Sequence, residues 1–370
     1  MERQSSLILF SVSCAILVLA VGCNSQPKSG SEGASIASMP AGQRAEIKAP
    51  LGLPPVPIPE DNPPTMETIA LGRRLYYDPI LSSDGTVSCA SCHGPDVGFA
   101  DPRQFSVGVG GKKGGRQAPS VINAAYYTTQ FWDGRAASLE EQAVGPMQNP
   151  VEMAHTLEGV ARALAQDKTY VTEFERAFGP GPVTIEKAAK AIASFERTIL
   201  SGNSPFDRYM YAGEQDALNA SAKRGLQIFR DPKKANCAVC HTIAEEYALF
   251  TDNKFHNLGV GANLDGTLQD KGRYEVSKQD ADHGAFKTPT LRNIAQTAPY
   301  MHDGSLKTLK EVVDFYIGAG NSNPWRDKDL KELGHLTGQE RQDLEAFLES
   351  LTGELPAETR PLEMTTSSLR

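Results

Sequence analysis

Cys89-Ala90-Ser91-Cys92-His93 and Cys237-Ala238-Val239-Cys240-His241 decide how this chain is read, because both are C-x-x-C-H. Two thiols three positions apart on one helical turn can add to the two vinyl groups of a single porphyrin, and the next residue turns its imidazole toward the iron. A thioredoxin-like thiol pair accounts for C-x-x-C but leaves the histidine after each pair unexplained. A zinc site would need both pairs to converge on one ion. Two covalently attached c-type haems are expected, one on Cys89, Cys92 and His93 and the other on Cys237, Cys240 and His241.

The residues before each motif repeat as well. Gly72-Arg73-Arg74-Leu75-Tyr76-Tyr77-Asp78-Pro79 and Gly225-Leu226-Gln227-Ile228-Phe229-Arg230-Asp231-Pro232 both read G-x-x-(L/I)-(Y/F)-x-D-P. A helix that ends at Asp-Pro and leads into a haem-binding turn thus occurs twice, with Cys237 following Cys89 by 148 positions. Self-similarity of this kind argues for an internal duplication. Ile185, Ala188, Ile192, Phe195 and Ile199 recur at steps of three or four, the apolar stripe of a helix that starts near Thr184. Thr308 with Glu311, and Thr337 with Glu340, are capping boxes that open two more helices. Period-two alternation is almost absent. The expected fold is mainly α: two cytochrome c-like haem domains from an internal duplication, with little β structure.

A chain of 370 residues is long enough for two domains of ordinary size. Its 37 Lys+Arg against 45 Asp+Glu give a net charge of -8, which supplies no phosphate-neutralising surface and argues against nucleic acid as a partner. Arg3 precedes the apolar stretch Leu7 to Val21, which is short for a bilayer span of ~20 residues and reads as a signal-peptide core. Leu19-Ala20-Val21-Gly22-Cys23 resembles a bacterial lipobox. Cys23 is therefore expected to be lipidated and to hold the protein on the periplasmic side of a bacterial membrane, by that anchor only. A cleaved soluble periplasmic form and an uncleaved anchor are the alternatives. The expected organisation is a signal peptide with lipobox over 1–23, a flexible Pro/Ser/Gly-rich tether over 24–64, haem domains over 65–213 and 214–355, and a disordered tail over 356–370.

From about Gly72 to Thr352 the chain resembles the bacterial diheme cytochrome c peroxidase family. The resemblance runs through Gln130-Phe131-Trp132-Asp133-Gly134-Arg135, Glu152-Met153, Pro289-Thr290-Leu291-Arg292-Asn293 and Pro299-Tyr300-Met301-His302-Asp303-Gly304. In two details it is closer to the MauG branch, the methylamine-utilisation diheme enzymes. The resemblance implies that the first haem meets hydrogen peroxide and the second handles electrons. It places Glu152 as the distal carboxylate, Gln142 as the matching amide, and Trp132 as the ring between the haems. Trp325 is left to ordinary core packing.

Both details are departures from the peroxidase pattern. Many members block the first iron with a histidine in a Gly-rich loop; the equivalent here, Ser106 to Arg116, has none, and no histidine occurs between Gly94 and Ala154. The first haem is expected to be five-coordinate or water-bound at rest. Where the peroxidases commonly keep a methionine as sixth ligand of the second haem, counting from Pro299 reaches Tyr316, the MauG arrangement. A phenolate is a hard, charged donor that favours ferric iron. Met301 is the alternative sixth ligand. The resemblance also implies a calcium ion, with Gln117 in place of the usual asparagine and the carbonyls of Thr297 and Pro299 as partners.

Three functions follow in order. The first is a peroxidase that reduces hydrogen peroxide with electrons from an external donor such as a small cytochrome c or cupredoxin. The second is a MauG-like enzyme that oxidises side chains of a partner protein; Ala235, where the methylamine enzyme presents a tryptophan, does not support that enzyme's own substrate. The third is a diheme electron carrier, since Met153 and Met301 each follow their haem histidine by 60 residues, as in simple His/Met cytochromes.

Overall fold

Gly72 and Gly225, which head the two copies of the repeat, mark the helix crossings on which the fold is built. A computed structural model describes residues 39–333 and 335–361, so the apolar leader, Cys23 and the end of the tail lie outside the described residues. Its α-helices run in the order α1 (Met66–Tyr77), α2 (Leu139–Gln148), α3 (Leu157–Gln166), α4 (Lys168–Phe178), α5 (Ile185–Glu196), α6 (Pro205–Tyr211), α7 (Ala220–Arg230), α8 (Tyr274–Ser277), α9 (Leu309–Ile317) and α10 (Gly338–Glu349). β structure among the described residues is one antiparallel pair of two-residue strands, β1 (Phe255–His256) and β2 (Phe286–Lys287). The mainly α expectation holds.

Both repeat helices end as the sequence dictates. Asp78 stops α1 and Asp231 stops α7, since the prolines that follow push the preceding residue out of the helical region. Asp78 then accepts from Ile80 N and starts the next turn. α1 lies against α5, and α7 lies against α10 in the same way. At the first crossing a methyl group on Gly72 would stand 2.5 Å from the Ala191 carbonyl carbon and 3.0 Å from Phe195 Cβ. At the second, one on Gly225 would stand 2.6 Å from the Asp343 carbonyl carbon and 2.7 Å from Phe347 Cβ. Only glycine lets the backbones approach this closely.

Each half has its own apolar interior. In the first, Leu71, Leu75, Met147, Val160, Phe174 and Ile192 pack together, with Tyr76, Phe99 and Phe195 beside them. In the second, Phe206, Phe229, Phe250 and Phe347 form a cluster of mostly edge-to-face rings. Phe206 lies on α6, ahead of the boundary expected at 213/214, so the second interior recruits a helix from the first half's sequence. Asp207 on the same helix forms a fully buried, doubly hydrogen-bonded pair with Arg292, at 2.8 and 2.9 Å.

The Pro-rich segment expected as a flexible tether is, where described, bound to the body. An extended chain makes no internal hydrogen bonds, so its carbonyls remain free to accept. Gly52 O receives Arg292 Nη2 at 2.6 Å and Pro54 O receives the Tyr126 hydroxyl at 2.8 Å. Asn62, fully buried, donates to Glu140 and to Lys190 O. The start of the expected tail is likewise held: Thr359 is buried, and its carbonyl accepts from the Tyr77 hydroxyl at 2.7 Å.

Candidate haem centres

On the proximal side the same device appears twice. Cys89 to Ser91 and Cys237 to Val239 form short 3-10 turns, and in each the histidine N–H closes onto the first cysteine's carbonyl at 2.9 Å. His93 Nδ1 faces Phe99 O at 3.3 Å, and His241 Nδ1 faces Phe250 O at 2.9 Å. Phe99 and Phe250 share the left-handed backbone that aims those carbonyls, both with φ of 52°. Donating through Nδ1 leaves Nε2 with its lone pair for iron. Burial lowers the pKa of both imidazoles, which keeps them neutral and fit to ligate. All four thiols are free to bond a porphyrin. The residues present fit a covalently bound haem in each half.

The duplication also reaches the distal side, at a constant spacing the sequence reading did not use. Asn123 and Asn293, Phe131 and Met301, and Gly134 and Gly304 are pairs of left-handed residues. The bridges Gln130 to Ala136 and Tyr300 to Leu306 match. So do the caps Ser138 of α2 and Thr308 of α9. In this register Tyr316, eighth residue of α9, corresponds to Pro146, eighth residue of α2. The position that holds a phenol in one half thus holds a side chain with no ligating atom in the other.

Around the first centre, the Gly-rich loop runs from Ser106, near Cys92, to the chain at Glu152. Burial pushes the Cys92 thiol up, opposed by the nearby Ser106, whose hydroxyl donates to Asp101 Oδ2 at 2.8 Å. Further along, Gly108 rests on the chain at Glu152: a Cβ there would stand 2.7 Å from Glu152 Cα, and Val109 N donates to Glu152 O at 2.8 Å. Glu152 hangs just beyond α2, where Met153 N is bonded to Pro146 O. Burial raises the Glu152 pKa, partly offset by the 2.6 Å hydrogen bond from Asn149 Nδ2. Gln142 is half-buried on α2, one turn before Pro146. Met153 belongs to the first apolar interior.

The second centre is a cavity lined by Cys237, Cys240 and His241, with Tyr316 and Met301 both on its wall. Burial pushes the Tyr316 phenol far above its ordinary range. Trp132 lines this cavity too: its indole N–H donates to Gln117 O at 2.8 Å, and its own carbonyl accepts from Lys287 N. Trp132 and His302 occupy equivalent places in the two halves, and their rings meet edge to face at 6.5 Å. His302 is stacked on Phe286 at 3.6 Å, and burial pushes its pKa down to about 4. Gln117, Thr297 and Pro299, expected around calcium, share the same wall.

Three groups escaped the sequence reading. Lys287 is buried beneath the Tyr127 ring and donates to Thr129 O at 2.7 Å, with its pKa brought down by burial to about 7. His256 stands between Asp252 and Asp327 on the cavity wall. Glu196 is buried on α5 with one oxygen unpartnered. Lys287 and Glu196 carried no clear signal, since Thr288 follows the one and Arg197 the other, so neither stands as a lone polar residue in an apolar run. His256 gave none either: Asp252 lies only four residues away, but Asp327, which completes the setting, lies 71 residues on. Trp325, expected in the core, is half-buried and stacked on His283.

A family model for di-haem cytochrome c peroxidase matches residues 66–216, and one for cytochrome c matches residues 222–352. The chain is 40% identical over 333 residues to the methylamine utilization protein MauG of Methylorubrum extorquens, covering 89% of this chain and 91% of that one. It is 37% identical over 318 residues to the cytochrome c551 peroxidase of Pseudomonas aeruginosa, covering 83% and 86%. A crystal structure of a MauG-like protein associated with microbial copper homeostasis superposes with a TM-score of 0.75 at 33% identity, covering 82% of this chain and 95% of that one. With two haem-binding halves of cytochrome c type, the chain belongs to the di-haem cytochrome c peroxidase family.

Proposed function

We propose that this protein reduces hydrogen peroxide at the first haem with electrons that an external donor delivers through the second. The observation that carries the reading is the unequal pair in the duplicated framework, Pro146 beside one centre and Tyr316 beside the other. A haem held by Cys89, Cys92 and His93 would supply the redox-active iron at which peroxide is reduced. Glu152, whose pKa burial raises, moves a proton from one peroxide oxygen to the other. Gln142 steadies the departing hydroxide, and Gly108 brings the loop close enough to keep the carboxyl in place. Trp132, bonded to the chain on both sides of the boundary between halves, is the ring across which charge passes.

Steady-state turnover tests this. The untreated ferric protein should consume peroxide with a reduced small cytochrome or cupredoxin, without a lag. A requirement for prior reduction would refute the open first centre. A second reading, oxidation of side chains on a partner protein, is favoured by Tyr316 and by the loop without histidine. Calcium on Gln117, Thr297 and Pro299, and a periplasmic location with lipid on Cys23, complete the proposal. No described helix is long and apolar enough to cross a membrane.

A further inference from the structure

Tyr274, His283 and Trp325 form a stack of three rings. The centroids of Tyr274 and His283 are 3.7 Å apart at an interplanar angle of 21°, and those of His283 and Trp325 are 4.4 Å apart at 22°. The rings come from α8, the turn before β2, and the segment between α9 and α10, so no local helical spacing places them together. All three are half-buried, at the surface rather than in the second interior. The stack is also wired. Trp325 Nε1–H donates to Asp280 Oδ2 at 3.3 Å, and His283 Nδ1 faces Asp280 O at 2.9 Å.

Its inner side adjoins the second haem's cavity. His283 is followed by Gly284, which lines that cavity, and its carbonyl accepts from Asn257 at 2.6 Å. Trp325 stands two residues before Asp327, which lines the cavity as well and holds His256. Two of the three rings can lose an electron, and they are not equal. Lys271 and Lys278 sit 5.7 and 5.5 Å from the Tyr274 centroid, so positive charge opposes oxidation there. Trp325 has a carboxylate on its N–H instead.

We propose that this stack is a one-electron relay between the second haem and the surface, at which the external donor is oxidised. The proposal rests on the peroxide chemistry above, which supplies the oxidant. Trp325 gives one electron inward and its indole proton to the Asp280 carboxylate, leaving a neutral radical. One electron from the donor and the returning proton restore the ring. Two such passages, with two protons from solvent, balance the conversion of one peroxide to two waters.

The haem-loaded full chain is mixed with peroxide without donor, freeze-quenched for EPR, and then digested for peptide mass mapping. A tryptophan radical and oxygen addition at Trp325 are expected. Trp325→Phe, which keeps a ring in the stack but resists oxidation, should lose both signals and lose turnover with donor. Its haem spectrum should still respond to peroxide like wild type. Radical and donor turnover unchanged in Trp325→Phe would overturn the relay. A wild-type haem that responds to peroxide without forming the radical overturns the relay and spares the peroxidase reading. A haem spectrum unmoved by peroxide overturns the reading, and the relay with it.

Discussion

Replacing Gly72 with alanine sets two effects of known size against each other. In a helix interior alanine is favoured over glycine by ~1 kcal/mol, so propensity alone predicts a stabler protein. The added methyl, however, would stand 2.5 Å from the Ala191 carbonyl carbon and 3.0 Å from Phe195 Cβ. Carbon atoms at ease are ~3.5–4.0 Å apart, so α1 and α5 must separate by roughly 1 Å. Both offending groups are backbone or Cβ, which no rotamer change can move aside. Overpacking of this kind costs ~1–3 kcal/mol and more when nothing yields. At the upper end of that range the net loss is about 2 kcal/mol, or roughly 3 °C in melting temperature for a protein of this size. Gly225→Ala should behave alike, because its methyl would meet Asp343 and Phe347 at the equivalent crossing. Gly338→Ala is the control: it opens α10 with nothing within reach of a Cβ, and should be neutral or stabilising. Thermal unfolding of the haem-loaded proteins, followed by circular dichroism, measures all three. A Gly72→Ala protein as stable as wild type would refute the claim that the repeat's glycine exists for helix contact.

Three further outcomes are expected. Glu152→Gln should lower peroxide turnover by ~10²–10⁴, the usual worth of a positioned proton carrier, with haem content unchanged; stopped-flow mixing with peroxide reads it. Tyr316→Met should raise the reduction potential of the second haem, since a thioether favours ferrous iron, and a titration that leaves the potential unmoved would show that Tyr316 never touches iron. Burial pushes Glu196 from its ordinary 4.5 up to about 8. The folded protein then keeps a proton that the unfolded chain has released, and stability falls as pH rises through that window, by about 1.4 kcal/mol per unit. Glu196→Gln should flatten this slope in denaturation measured from pH 5 to 8, gaining on wild type as pH rises.

The attachment motifs and helix ends were legible because covalent chemistry and proline act locally: Cys89, His93, Asp78 and Thr308 each signal through near neighbours in sequence. The repeat was visible only in the eight residues quoted before each attachment motif and in the motif itself. Its distal half is written in backbone conformation, where Phe131 and Met301 share a left-handed turn with no common side-chain chemistry. Hence Tyr316 was found by resemblance, while its counterpart Pro146 needed the register. The segment from Pro50 to Asn62 was misjudged because composition describes what a chain does alone. Arg292 and Tyr126, which hold it, lie far away in sequence. Lys287 and His256 escaped for the same reason, since their surroundings are assembled from distant segments.

The most direct test is EPR spectroscopy of the untreated ferric protein, with and without cyanide. Inequivalent centres should give one high-spin signal that cyanide converts to low spin and one low-spin signal that cyanide leaves alone. Two low-spin signals, neither altered by cyanide, would contradict the account and leave a carrier of electrons in place of an enzyme.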